Sequence, residues 1–302
     1  MMQFFQRLIR ERIPARMKRN DERRLADQKP PVGVETFCNI PYVEDGSSYQ
    51  WLDVYRPADA TEDLPVIVDI HGGAWIYGDK DLNKNYAMTL ASYGFVVVNV
   101  SYRLIHQAPF PAQLQDVDLA LSWLKEYGSD YGADLDNVFI TGDSAGAHLA
   151  ALTAALAESP EAREKIGLQS PIRFRAIGLI CGIYDIDRFV RMRNGLAKAF
   201  CSYYLDADYR NSVYLPFTSV YNVVNDRFPP AYLMSSQQDF LLKESQRFSA
   251  KLKALGVPVE MRRWQKNAKP RLTHVFNVLY PEYNQSVITN KEMCKFFLQY
   301  KS

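Results

Sequence analysis

From residue 34 onward, short apolar runs take turns with amphipathic stretches, and few folds accommodate that alternation. The runs at 65–70 (PVIVDI) and 95–100 (FVVVNV) are apolar at nearly every position, as strands buried on both faces must be. Further strand patterns follow at 138–141, 176–181, 231–235 and 257–264. Helical periods fill intervals at 81–93, 111–127, 144–157 and 241–255, and a last one covers 285–300. Gly94, Gly128 and Gly256 stand where three of these helices should stop. Buried strands joined by helices imply the α/β class, with a mostly parallel central sheet flanked by helices. Two more strands, 34–43 and 49–55, come first and are joined through the turn-prone Glu44-Asp45-Gly46. Only residues 186–228 break the rhythm, being long, without strand alternation, and rich in Tyr, Arg and Asn. Such an insertion reads as a functional cap, since ligands of these sheets bind at the carboxyl ends of the strands.

At 302 residues the chain can bury a full core without disulfide or metal staples. Its 36 basic and 34 acidic residues nearly cancel, so no nucleic-acid partner is expected. Cys38, Cys181, Cys201 and Cys294 lie far apart, without CxxC or zinc-ligand spacing. They read as reduced thiols of a cytoplasmic protein that holds no metal. No run approaches the roughly 18 apolar residues of a membrane span. Residues 1–30 hold nine basic side chains against four acidic ones, and lack the apolar stretch of a secretory signal. Phe4, Phe5, Leu8 and Ile9 fall at helical spacing opposite Arg7, Arg10 and Arg12. Two readings compete for this segment. A helix packed on the body of the protein, over a binding site, is favoured because the apolar stripe is short and ends at Pro14. The other is a basic amphipathic helix on a membrane surface. A homodimer stays an open alternative.

The sharpest local signal is Gly142-Asp143-Ser144-Ala145-Gly146, between an expected strand and an expected helix. A nucleophilic serine has to stand out on a tight strand-to-helix turn, and only small flanking residues let that turn close. The alternative is a structural turn with a helix-capping serine. His71-Gly72-Gly73-Ala74-Trp75 follows PVIVDI. Consecutive glycines free backbone N–H groups from a ladder, so Gly72, Gly73 and Ala145 are the expected donors of an oxyanion hole. Among four histidines, His71 belongs to the glycine loop, where its ring would brace the turn. His148 lies one helical turn past Ser144, a packed position, and His106 precedes the serine. Elbows of this kind take their partners in the order serine, acid, histidine, which leaves His274 as the base. Asp239, after the strand at 231–235, is the expected acid, with Asp185 and Asp187 as competitors. Asp143 and Asp116 read as scaffold carboxylates. Of the aromatics in the insertion, one or two are expected to touch a ligand and the rest to form its core.

HGGAW, YRL followed by PFPAQLQDV, TGDSAGAHLA, QQDFLLKES and THVF together resemble the hormone-sensitive-lipase-like bacterial carboxylesterases, over roughly residues 35–300. The resemblance implies an α/β-hydrolase fold with a helical cap. Residues 1–40 would contribute to that cap, and residues 41–302 would form the catalytic domain, with a cap insertion at about 186–228. It further implies Ser144 as nucleophile, Asp239 as acid, His274 as base, no cofactor, and a small-molecule ester as substrate, with short acyl chains favoured. Three departures stand out. Ala74 replaces the usual third glycine, Phe240-Leu241-Leu242-Lys243 replaces the usual Pro-Leu-Arg-Asp, and Ile105-His106-Gln107 replaces Ala-Pro-Glu. HGGAW also occurs in cell-wall acetyl and feruloyl esterases and in aryl-formamidases of related fold, so these remain alternatives, with a non-catalytic receptor the least expected.

Overall fold

The computed structural model describes residues 2–169 and 172–302. Eight strands form one sheet: β1 Val34–Pro41, β2 Trp51–Pro57, β3 Leu64–Ile70, β4 Val96–Val100, β5 Ala133–Asp143, β6 Ile177–Ile180, β7 Ala231–Ser236 and β8 Val259–Trp264. Their spatial order is β1-β2-β4-β3-β5-β6-β7-β8. β1 and β2 pair antiparallel, as do β2 and β4, and every pairing from β4 to β8 is parallel. All six parallel strands therefore end on the same side of the molecule.

The apolar runs split by parity, as a pleated strand requires. On one face Val66, Val68 and Ile70 meet Val96, Val98 and Ile140 beneath the helices Ala112–Tyr127 and Ala145–Leu156. On the other, Ile67, Val97 and Phe139 meet the helices Lys84–Ala91 and Asn284–Leu298 through Leu90, Met293 and Phe297. Both faces are dry, which is why these strands carry no polar alternation.

Some boundaries differ from the sequence expectation. The expected strand at 138–141 is the end of an eleven-residue strand, Ala133–Asp143, whose first half is polar and pairs β3 only at Leu64 and Pro65 before a register shift. The expected helix at 81–93 begins as a tight turn, Lys80–Asn83, before the helix Lys84–Ala91. Gly128 keeps a right-handed φ of −57°, and the chain turns left-handed only at Gly132.

The first 40 residues do not act as one piece. Val34–Pro41 is the edge strand of the sheet, so the expected cap boundary at residue 40 is corrected. Before it, residues 2–27 are helical throughout, with a wider turn at Leu8–Arg12. Phe5 packs against Gly195, at the start of the helix Gly195–Tyr204 in the insertion. Farther along, buried Arg24 donates to the carbonyls of Leu82 and Leu279, at 3.3 Å and 3.2 Å. The arm is thus bound to the insertion at one end and to the sheet's loops at the other.

Candidate active site

Ser144 sits between β5 and the helix Ala145–Leu156, with φ 53° and ψ −113°. That conformation costs on the order of 1–3 kcal/mol in isolation. Two local facts hold it. Its N–H donates to the Ile180 carbonyl at 2.8 Å. Gly146 lies so close to the Ile70 carbonyl that any Cβ there would collide with it. The small residues around the serine are therefore required by contact between the helix and β3.

His274 lies in the loop after β8, and Asp239 in the loop after β7. The histidine's Nε2 is 3.0 Å from Ser144 Oγ, and its Nδ1 is 2.8 Å from Asp239 Oδ1. Oδ1 also accepts the Leu241 N–H at 3.0 Å, and Oδ2 accepts the Ser235 hydroxyl at 2.6 Å. Burial pushes the Asp239 carboxyl upward. The hydrogen bonds from His274, Ser235 and Leu241 outweigh it and hold the group below the usual carboxylate range. The arrangement can move a proton from serine to imidazole while the carboxylate stays ionised. Among the described residues neither competitor bonds His274: Asp185 accepts the Arg188 N–H at 3.1 Å, and Asp187 the Asn222 side chain at 3.3 Å.

One expected donor is corrected. The Gly72 N–H points at Asp143 Oδ1, 2.9 Å away, and is spent there. Among the described residues, no hydrogen bond ties up the N–H groups of Gly73, Ala74 or Ala145. Gly73 and Ala74 have φ of +106° and +55°, which turns the loop after β3 away from the ladder. Gly73 has to be glycine, since a Cβ would run into the Tyr77 carbonyl. The free N–H of Ala74 was not among the expected donors; the sequence offered only the departure noted above, an alanine after two glycines, and its left-handed φ appears only in the fold.

Behind this loop lies a buried polar unit. Asn83 Nδ2 is 3.0 Å from both Asp69 Oδ2 and Asp143 Oδ1. Burial, and then the Asp143 charge, pushes Asp69 well above the carboxylate range, and burial raises Asp143 as well. Asp143 Oδ1 accepts both the Asn83 amide and the Gly72 N–H. Asp143 therefore orients the Gly72 loop, in keeping with its reading as scaffold. Asp116 is likewise structural, gripped by Arg103 at 2.7 Å.

Of the remaining histidines, His71 and His148 are buried packing groups, and His106 is exposed in the loop after β4. His71 stacks on Tyr102, with centroids 4.3 Å apart, and bonds the Gly72 carbonyl through Nδ1 at 2.7 Å. His148 donates Nε2–H to the Thr218 carbonyl at 2.7 Å. Burial pushes both down to about 4. An unfolded histidine titrates near 6.5, so as pH falls the unfolded chain takes its proton first. Stability from His148 is thus complete above about 6.5 and lost between there and about 4. In urea unfolding at several pH values, wild type should lose about 1.4 kcal/mol per pH unit more than His148→Asn across that window. Parallel slopes would mean that His148 titrates normally when folded.

Above Ser144 lies an apolar cavity of about 330 Å³. Ile9 and Ile13 of the arm, Phe189 and Phe200 of the insertion, and Phe240 beside His274 line it. Tyr204 of the insertion packs inward, stacked on Phe200 at 5.5 Å, and Tyr184, just before the insertion, stacks on Phe248 at 4.1 Å. Larger grooves occur elsewhere, including one of about 860 Å³ around Leu135 and Tyr300, but they hold none of these groups.

Comparison with known proteins agrees with the fold. The BD-FAE family matches residues 52–253. Carboxylesterase NlhH of Mycobacterium tuberculosis is 30% identical over 76% of this chain and 70% of its own length. Esterase LipQ of the same organism is 29% identical over 72% of this chain, which spans only 53% of LipQ. Among solved structures, esterase B from Lactobacillus rhamnosis superimposes with a TM-score of 0.90 and 30% identity, covering 98% of this chain and 96% of that one. A second structure of esterase B, inhibited by a tributyrin phosphonate, gives 0.88 and 32%, covering 95% and 92%. The chain belongs to the BD-FAE family, among the hormone-sensitive-lipase-like carboxylesterases of the α/β-hydrolase fold.

Proposed function

We propose that the protein hydrolyses carboxylic esters through a Ser144 acyl-enzyme. The observation that carries this reading is the unbroken line from Ser144 Oγ through both ring nitrogens of His274 to Asp239. His274 takes the serine proton as Oγ attacks the ester carbonyl. The N–H groups of Gly73, Ala74 and Ala145 receive the negative charge that develops on the carbonyl oxygen. His274 then protonates the leaving alcohol, and water resolves the acyl-enzyme by the same steps in reverse. The helices of residues 2–27 and the insertion at 186–228 act as the cap that dries the cavity. Four free cysteines fit action in the cytoplasm.

The cavity is near the small end of ligand sites, which run from roughly 300 Å³ upward. Its apolar lining suits a short acyl chain, and esterase B was inhibited by a tributyrin phosphonate. Initial rates on p-nitrophenyl esters from acetate to laurate test this. The expected profile peaks at short chains and falls at least about tenfold by laurate, since the apolar cavity holds only about 330 Å³. A maximum at laurate would overturn the short-chain assignment. Absence of turnover on every ester, from folded protein, would overturn ester hydrolysis itself.

A further inference from the structure

The two sequence readings of the N-terminal arm, packed helix and basic surface helix, are compatible in three dimensions. Ile9 and Ile13 face the cavity, while Arg10, Arg12 and Arg16 are exposed. None of the three has an acidic partner among the described residues, unlike Arg7 and Lys18, which pair with Glu11 and Glu22. The far side of the cavity repeats the pattern. Phe189, Met192 and Leu196 line it; in the same stretch Arg188 and Arg193 are exposed without an acidic partner among the described residues, while Arg191 pairs with Asp185. The helix Leu242–Ala254 after the Asp239 loop adds exposed Lys243, in the segment that departs from the family's Pro-Leu-Arg-Asp. Cations thus come to the cavity from three separate elements, although the whole chain is nearly neutral.

The mouth also exposes large apolar groups. Phe240 is 77% exposed while its ring touches His274 at 4.4 Å. Leu196 is 41% exposed and lines the same cavity. Phe4, 58% exposed, sits edge-on to Phe5, which packs at Gly195 beside Leu196. Single exposed apolar residues need no explanation, but Phe240 and Leu196 line one cavity, Phe4 lies next to its lining through Phe5, and unpaired cations stand on the same elements, which together form a surface of defined chemistry. Rings enter the headgroup boundary and arginines bind anionic headgroups, and neither group alone does both.

We propose that the cavity mouth docks on an anionic lipid surface, from which the ester substrate enters. The proposal rests on the ester-hydrolase reading for its substrate and stands apart from it for its binding. The test is therefore sedimentation of the full chain with vesicles, which needs no turnover. Binding should be at least about tenfold greater on mixed phosphatidylcholine–phosphatidylglycerol vesicles than on phosphatidylcholine alone, and should be lost at high salt. Replacing Arg10, Arg12 and Arg16 together by Ser should abolish the difference and leave hydrolysis of p-nitrophenyl acetate in lipid-free buffer unchanged, which also reports folding. Arg188→Ser with Arg193→Ser should weaken binding independently, and so should Phe4→Ser. Equal binding to both vesicles, no binding, or mixed-vesicle binding indifferent to the arginines would overturn the proposal. Binding that needs the arginines but survives both Phe4→Ser and Phe240→Ser would also overturn it, and would make the partner a soluble polyanion.

Discussion

Ser144→Ala should lower kcat on a short p-nitrophenyl ester by roughly 10⁴- to 10⁶-fold, the range expected when a nucleophile is removed from a unit that acts together. The folded state should survive. Among the described residues the hydroxyl bonds only His274, and the strained backbone at 144 is held by the Ile180 carbonyl and the Gly146 contact, neither of which uses the side chain. Thermal unfolding followed by circular dichroism should shift by no more than about a few degrees. Turnover above about one per cent of wild type would place the nucleophile elsewhere, because the backbone donors alone do not supply that much.

Asp239→Asn is the second large effect, and its size reports which way the amide settles. The Asp239 carboxylate accepts hydrogen bonds from His274 and Leu241 on one oxygen and from Ser235 on the other. If the amide oxygen faces His274, the Ser235 hydroxyl can turn to accept from the amide nitrogen. Only the charge that steadies the imidazolium is then lost, at a cost in kcat of about a hundredfold. If the amide nitrogen faces His274, the ring is forced into the tautomer that cannot take the serine proton, and the loss approaches about 10⁴-fold. The Leu241 N–H favours the first outcome, because it too needs the oxygen. Near-normal kcat would remove Asp239 from the mechanism and turn attention to Asp185.

Ser144 and Asp239 were legible in the sequence because each closely follows a strand buried on both faces, and such strands announce themselves; His274, ten residues past the edge strand β8, rested on chain order. Gly142 to Gly146, the aspartate after β7 and the histidine after β8 needed only chain order and the rule that such sheets act at their carboxyl ends. The failures share one cause, contact between distant segments. Gly72 looked free because nothing nearby in the chain takes its N–H, yet the acceptor is Asp143, 71 residues away. The helix Gly195–Tyr204 was hidden because its start packs on Phe5 of the arm, so its local apolar pattern is short. Asn83 carries no motif, and its place between Asp69 and Asp143 exists only after β3 and β5 have paired.

Arg24 bears on how this enzyme could be dissected. Its guanidinium holds the Leu82 carbonyl, and the next residue, Asn83, holds Asp143. Its positive charge also draws Asp143 toward ionisation, against burial. Cutting the chain before residue 28 would uncover the cavity, and would also remove a cation that steadies the carboxylate beside the nucleophile. A truncated protein that turned over slowly would therefore confound two losses, access and alignment. Arg24→Met in the full-length chain separates them, because the roof stays in place while the tether to the reacting loop is cut.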